Sequence, residues 1–301
     1  MISRACARMN RAIVLLLILF CPGLASAHGF AGKRYFPATL TFDDPFPQDE
    51  FGLLYNYMPD TRNEDGDTVD LRSVDIEYAK SITPGFAISI GTAHIRSKNP
   101  DGSTEHGFDN VEVGAKVLGH VNEAAESVWS YGLDIDVGDT SSNGIGESYS
   151  TYSPTFYYGK GLGNSFAAAS YMRPLALTTS LSVAMPEQSG QPNSFVSAFS
   201  VQYSLSYLES NVKDVGLPQM LRDSFLIVEL PLQTCLDHGC NGEVTGTVNP
   251  GIIFFNHWGQ LSLEAQIPVS DRTGDSVGAL VQLHFNLDDV FPHTLGKPIF
   301  N

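Results

Sequence analysis

Basic residues are scarce in this chain. Among 301 residues, 17 are Lys or Arg and 33 are Asp or Glu, a formal charge of −16. Nucleic-acid binding depends on neutralising phosphates with a basic face, so that class of partner is excluded at the outset. Apolar runs long enough to cross a bilayer as a helix are missing beyond residue 20. Cysteine is rare, with four in all. Hydrophobic and aromatic residues are not scarce, at 43% and 11%, and that excludes a disordered chain. The length suits two average soluble domains or one large all-β domain.

Residues 1–27 read as a secretory signal. Arg4, Arg8 and Arg11 supply the basic start, residues 12–20 are continuously apolar, and Ala25-Ser26-Ala27 supplies small residues for cleavage before His28. Phe20 is too bulky to precede a lipid-attachment cysteine at Cys21. Export through the Sec pathway removes three basic residues and moves the formal charge from −16 to −19. It also leaves only Cys235 and Cys240. In an oxidising compartment, Cys235-Leu-Asp-His-Gly-Cys240 reads as a local disulfide closing a loop tip. A zinc site that added His238 would lack the second ligand pair zinc usually takes.

From residue 50 onward the dominant period is two. Trp129, Tyr131, Leu133, Ile135 and Val137 alternate with Ser130, Gly132, Asp134, Asp136 and Gly138. Segments 199–207, 261–269 and 277–287 repeat the pattern. Strict alternation means strands with one apolar and one polar face. No segment has a comparable helical stripe, so the fold class is all-β. Many strands run to ten residues, close to the 9–11 that a tilted strand needs to cross a bilayer. Short turns at 82–85 and 257–259 contrast with longer polar loops at 59–68, 97–107, 139–148 and 233–243. This is the layout of an antiparallel up-and-down transmembrane barrel.

Thirteen strand candidates can be marked, whereas a single-chain bacterial barrel takes an even number. Parity merges the segment from Asn164 with the one ending at Ala184, as one strand broken at Arg173-Pro174. The expectation is a barrel of about twelve strands over 50–287, preceded by a periplasmic segment at 28–49 and followed by a tail at 288–301. A soluble barrel turns its apolar face inward and a membrane barrel turns it outward. Small and acidic residues on the polar face, aromatics at strand ends and the last-strand pattern Ser276, Gly278, Val281, Leu283 favour the membrane. A periplasmic β-sandwich is the alternative. A barrel of this kind contacts outer-membrane lipid and lipopolysaccharide and is inserted by the barrel-assembly machinery.

Several stretches resemble a family of bacterial outer-membrane barrels named for phenol meta-pathway degradation. They are His28-Gly-Phe-Ala-Gly-Lys-Arg-Tyr-Phe-Pro, Tyr207-Leu-Glu-Ser-Asn-Val-Lys-Asp-Val-Gly-Leu-Pro, Thr245-Gly-Thr-Val-Asn-Pro-Gly, Leu283-His-Phe-Asn-Leu-Asp-Asp-Val-Phe-Pro and Gly296-Lys-Pro-Ile-Phe. The resemblance implies a barrel in the outer membrane of a Gram-negative envelope and a transporter-like role. It carries over no functional residues.

If the polar faces line a lumen, that lining includes Asp75, Glu77, Glu112, Asp134, Asp136, Glu229 and Glu264, with Lys116 as its clearest basic member. Gln202, Gln266, Gln282 and His284 complete the set. Acid rings favour cations and repel anions, which points to a channel for cations or for neutral and aromatic solutes. The same acids could instead fill a closed, non-conducting structural or adhesion barrel. The acidic loop at 60–67 lacks the pattern of a calcium loop. A free N-terminal His28 could bind copper, but no second histidine stands near it in sequence. No nucleophile elbow, phosphate loop or catalytic carboxylate pair is present, so the reading is of a non-enzyme without metal or cofactor. The two ends echo one another, with Lys33 before Asp43-Asp44 and Asp288-Asp289 before Lys297. Parallel placement would pair each lysine with the other end's acids in a collar or plug over the pore.

Overall fold

The computed structural model describes residues 29–63, 66–166, 169–240 and 242–300. The signal segment and the copper candidate His28 lie outside the described residues, as do Glu64 and Asp65 of the acidic loop. A two-stranded hairpin comes first, β1 (Phe30–Ala31) and β2 (Arg34–Tyr35). The wall follows as β3 (Glu50–Arg62), β4 (Thr68–Thr83), β5 (Phe86–Lys98), β6 (Thr104–Phe108), β7 (Val111–Asn122), β8 (Ser127–Val137) and β9 (Thr151–Gly161). It continues through β10 (Leu175–Pro186), β11 (Ser194–Ser204), β12 (Ser224–Cys235), β13 (Val244–Asn256), β14 (Gly259–Pro268) and β15 (Gly278–Asn286). Short helices α1 (Leu205–Asn211), α2 (Gln219–Arg222) and α3 (Leu287–Val290) lie between or after strands.

Every neighbouring pair in the wall is antiparallel, and β15 closes onto β3 from Asn286↔Glu50 to Ala279↔Tyr57. Both β6 and β7 pair with β5, so they are consecutive pieces of one strand. The result is a closed twelve-stranded antiparallel barrel. The twelve are not reached by the predicted merger. The described residues of 162–174 form turns and a 3-10 turn rather than strand, and Pro174 stands in that connection. The interrupted strand is the β6–β7 one, broken at Asp109 and Asn110. There the Asn110 amide donates to Asp136 Oδ1 and to the Glu147 carbonyl, each at 2.9 Å, and accepts from Ser141 N at 3.0 Å. One side chain therefore ties the loop after β8 to the rim where the ladder opens.

The start of β3 and the end of β15, with the described tail 287–300, lie at one end of the barrel, termed the near end. The contrast of short and long connections is only partly as expected. The near end holds the tight turns 84–85 and 257–258, but also the long connections 162–174 and 205–223. At the far end, Cys235 and Cys240 form a disulfide across the β12–β13 loop. Side-chain alternation follows the pleat. On β12, Leu226 and Val228 are 49% and 44% exposed on the outer face, while Phe225, Ile227 and Glu229 point inward and are buried. Ile88, Ile90, Tyr131, Leu133, Phe199 and Val201 extend the exposed apolar belt around the outside. The inner face is not uniformly polar. Phe225, Ile227, Ile253, Leu118 and Val128 are inward and apolar, and the reason lies in what occupies the lumen.

Candidate functional site

Residues 36–49, expected as a periplasmic extension, rise from the near end into the middle of the barrel and return to β3. The local shape is written in the sequence. Pro37, Pro45 and Pro47 forbid a helix and supply no backbone donors. Asp44 turns the chain by accepting from Phe46 N at 2.7 Å and from the Gln48 amide at 3.0 Å. At the tip, Glu229 on β12 accepts from Leu40 N at 3.1 Å, from Thr41 N at 3.0 Å and from the Thr41 hydroxyl. Gln282 on β15 donates to the Thr39 carbonyl at 3.1 Å. Lys116 on β7 pairs with Asp43 at 2.8 Å and donates to the Asp44 carbonyl at 2.9 Å. The Ser130 hydroxyl on β8 donates to the Pro45 carbonyl.

Apolar contacts complete the seat. Phe36 and Phe46 pack with Leu118, Val128 and Ala176. Leu40 packs with Phe225, Ile227, Ile253 and Leu280. Burial and the neighbouring Glu50 carboxylate push the Asp44 carboxyl up to about 7, with Lys116 opposing them.

The hairpin before this segment is latched at the near end. Arg34 is 1% exposed and reaches Glu126 Oε2 at 3.3 Å, the Pro174 carbonyl at 2.8 Å and the Arg173 carbonyl at 2.7 Å. Its guanidinium lies 3.9 Å from the centre of the Tyr207 ring, whose hydroxyl donates to Glu126 Oε1 at 3.2 Å. Arg34 thus gathers the β7–β8 turn, the 162–174 connection and α1. At the other end of the segment, Lys80 pairs with Asp49 and also donates to the carbonyls of Leu295 and Lys297. The tail is pinned there too, with Ile299 N and Phe300 N donating to Ser81 and Ile82 carbonyls at 3.2 and 2.8 Å. The expected pairing of Lys297 with Asp43 and Asp44 is therefore not what forms. Asp43 pairs with Lys116, and Asp44 bonds within its own turn.

Beyond the tip the lumen opens into a vestibule of about 340 Å³. Asp43, Asp75, Glu77, Asp109, Glu112 and Asp136 line it, and none of its lining residues is basic. Of the residues singled out in the sequence, Asp75, Glu77, Glu112, Asp136 and Gln282 meet here, while Lys116, Glu229 and Gln282 grip the segment. Asp134 lies beside Lys116 and Phe46. His284 faces Glu50, with Nε2 3.2 Å from Oε2. Glu264 and Gln266 follow one another along the inner face of β14. Gln202 stands apart, donating to the Thr178 hydroxyl on β10 at 3.0 Å. Sequence reasoning missed Arg34, Glu126, Ser130 and Tyr207, and it gave Asp43 to Lys297 where the partner is Lys116. The signal for Asp43 was the Asp43-Asp44 pair between Phe36-Pro37 and Phe46-Pro47.

No family model and no curated protein matches the chain. Solved structures do. The COG4313 outer membrane channel from Pseudomonas putida F1 is 12% identical with a TM-score of 0.53, covering 84% of this chain and 99% of that one. A KdgM porin is 11% identical with a TM-score of 0.46, covering 78% and 98%. At these identities the likeness is one of fold, that of porin-like outer-membrane barrels.

Proposed function

We propose that this chain is an outer-membrane channel for small solutes, chiefly cations and neutral molecules, closed at rest by its own N-terminal segment. The observation that carries this reading is the seating of residues 36–49 among Glu229, Lys116, Ser130 and Gln282 inside a closed barrel. Contiguous apolar surface of the extent seen around the outer wall is rare on soluble monomers and suits a lipid belt. That supports a place in the outer membrane, among lipid and lipopolysaccharide, after Sec export and insertion by the barrel-assembly machinery. Acid lining in the vestibule disfavours anions. The resemblance to phenol meta-pathway barrels makes aromatic molecules the first neutral solutes to try as blockers.

The test is planar-bilayer conductance of the refolded protein with and without residues 28–48. Deletion raises the single-channel step if the segment is the obstruction. A conductance unchanged from wild type would favour the second reading, a structural or adhesion barrel whose filled interior has no traffic.

A further inference from the structure

The outer wall carries one patch that its apolar belt does not explain. Strand register sets Tyr57, Arg72, Arg96 and His106 side by side across β3, β4, β5 and β6. They share the period of Tyr55, Ile76, Ile90 and Phe108, which are exposed on the outside, so the row faces outward. The Arg72 guanidinium lies 4.9 Å from the centre of the Tyr57 ring. Arg96 stands directly opposite Arg72, and Lys98 follows it one outward step toward the far end. Among the described residues, Arg72, Arg96 and Lys98 make no ion pair, whereas Arg62 and Arg272, also at the far end, pair with Asp275 and Glu243. The acids nearest in register are Asp70, opposite Lys98, and Asp60 beside it. Asp60 accepts from the Ser276 hydroxyl at 2.6 Å, and Asp70 from Asp60 N at 3.4 Å. Like charges directly opposite one another on antiparallel strands are destabilising. Two arginines so placed call for an anion shared between them.

We propose that this row binds the phosphates of lipid A, the membrane anchor of lipopolysaccharide. This rests on the outer-membrane placement above and names one lipid within it. With the near end in the periplasm, the row lies in the outer leaflet, where lipopolysaccharide stands. The order of side chains along β5 matches that leaflet. Ile88 and Ile90 are exposed and apolar, His94 packs edge-on against Phe108 at 5.2 Å, and Arg96 and Lys98 come last. The outer face of β4 repeats the order from Ile76 through Val74 to Arg72. Arg96 stands roughly 25 Å along the strand from Ile88, a length comparable to the apolar band of such barrels. Headgroup depth is also where a lipid-facing arginine costs least. A phosphate between the two guanidiniums takes paired, charge-assisted hydrogen bonds from them and removes their repulsion. The chain as a whole carries −16, so the attraction is local to this row.

The experiment titrates full-length protein, refolded in detergent, with bisphosphorylated lipid A, dephosphorylated lipid A and inorganic phosphate. Wild type should bind the bisphosphorylated lipid at least tenfold more tightly than the dephosphorylated one. The double variant Arg72→Gln, Arg96→Gln should lose that preference, and Lys213→Gln, at the near end, should keep it. Equal binding by wild type and the double variant would overturn the proposal. So would inorganic phosphate that competes as well as lipid A, since the site would then be one for free anions. In lipid-free detergent Arg96→Gln should melt no lower than wild type, because it removes a like-charged neighbour. A lower midpoint would mean that the protein itself holds Arg96, and would also overturn the proposal. Flotation of wild type with lipopolysaccharide vesicles separates the two readings. A barrel that inserts but ignores lipid A loses this site alone, and one that stays in the aqueous phase loses the outer-membrane placement as well.

Discussion

The near and far halves of the lumen are built from the same alternating strands but do opposite things. In the near half, apolar patches on the inner wall receive Phe36, Leu40 and Phe46, with Arg34 locked beneath. In the far half the inner wall carries carboxylates around open space. Burying three large apolar side chains stabilises the seated segment by roughly 5–9 kcal/mol, before the cost of ordering its backbone. The vestibule contributes little to that seat and faces whatever enters. On the channel reading proposed above, retention and selection therefore reside in different residues, and each can be altered alone.

The largest effect should come from the latch. Arg34→Ala leaves Glu126 buried without its countercharge, a loss of about 3–5 kcal/mol for a broken buried pair. Residues 29–49 should become protease-sensitive in the folded barrel, and large openings should appear. An unchanged digestion pattern would remove the latch from the mechanism. Next, Leu40→Ala empties a pocket among Phe225, Ile227, Ile253 and Leu280, at about 2–5 kcal/mol for a leucine truncated in a packed core. It should lower the thermal midpoint and raise open probability together. Glu229→Gln weakens the charge-assisted bonds to Leu40 and Thr41 by about 1.5–3 kcal/mol, and should raise opening frequency without altering ion preference.

Acidity offers a gentler handle on the same half. The Asp44 carboxyl is held up to about 7 inside the barrel by burial and Glu50, against an ordinary value near 3.9 when solvated. The seated form thus binds the proton more tightly than the released form. Seating is firmest below the released value and weakens as pH climbs from about 4 to about 7, by the usual linkage of proton and conformational equilibria. Openings counted at pH 5 and pH 8 should be several-fold more frequent at the higher pH, and a flat profile would remove Asp44 from the balance. The smallest change in gating should come from Glu112→Gln and Asp136→Asn. These should move the reversal potential toward zero and leave opening frequency as it was. A gating change in either would blur the division between the halves.

Much of the wall could be read from residue order alone, because alternation at 129–138 and 261–269 survives in any barrel that separates lipid from lumen. Parity led to twelve strands, although through the wrong break. Arg173-Pro174 looked like a strand defect and is a connection, while the real interruption at Asp109-Asn110 is bridged by a side-chain amide with no periodic signature. The apolar runs 225–228 and 252–255 departed from alternation, and that departure marks where the inner face meets apolar cargo of its own chain. Arg34 and Glu126 are 92 residues apart, and nothing local announces that they meet. The acids of the vestibule were legible since charge on the inner period of a strand has few other uses. The grip on Leu40 and Thr41 was not, since one carboxylate serves a pore or a clamp equally well.

The segment seated in the lumen runs directly into β3, and Asp49 at the junction is held by Lys80 and by Leu287 N at 2.8 Å. An obstruction on so short a leash cannot be diluted away. Once displaced it remains at an effective concentration in the millimolar range or above, so reseating is unimolecular and independent of how many copies crowd the membrane. Each opening is then a brief, self-terminating event timed within a single molecule, and any agent that prolongs it must hold the segment rather than merely dislodge it.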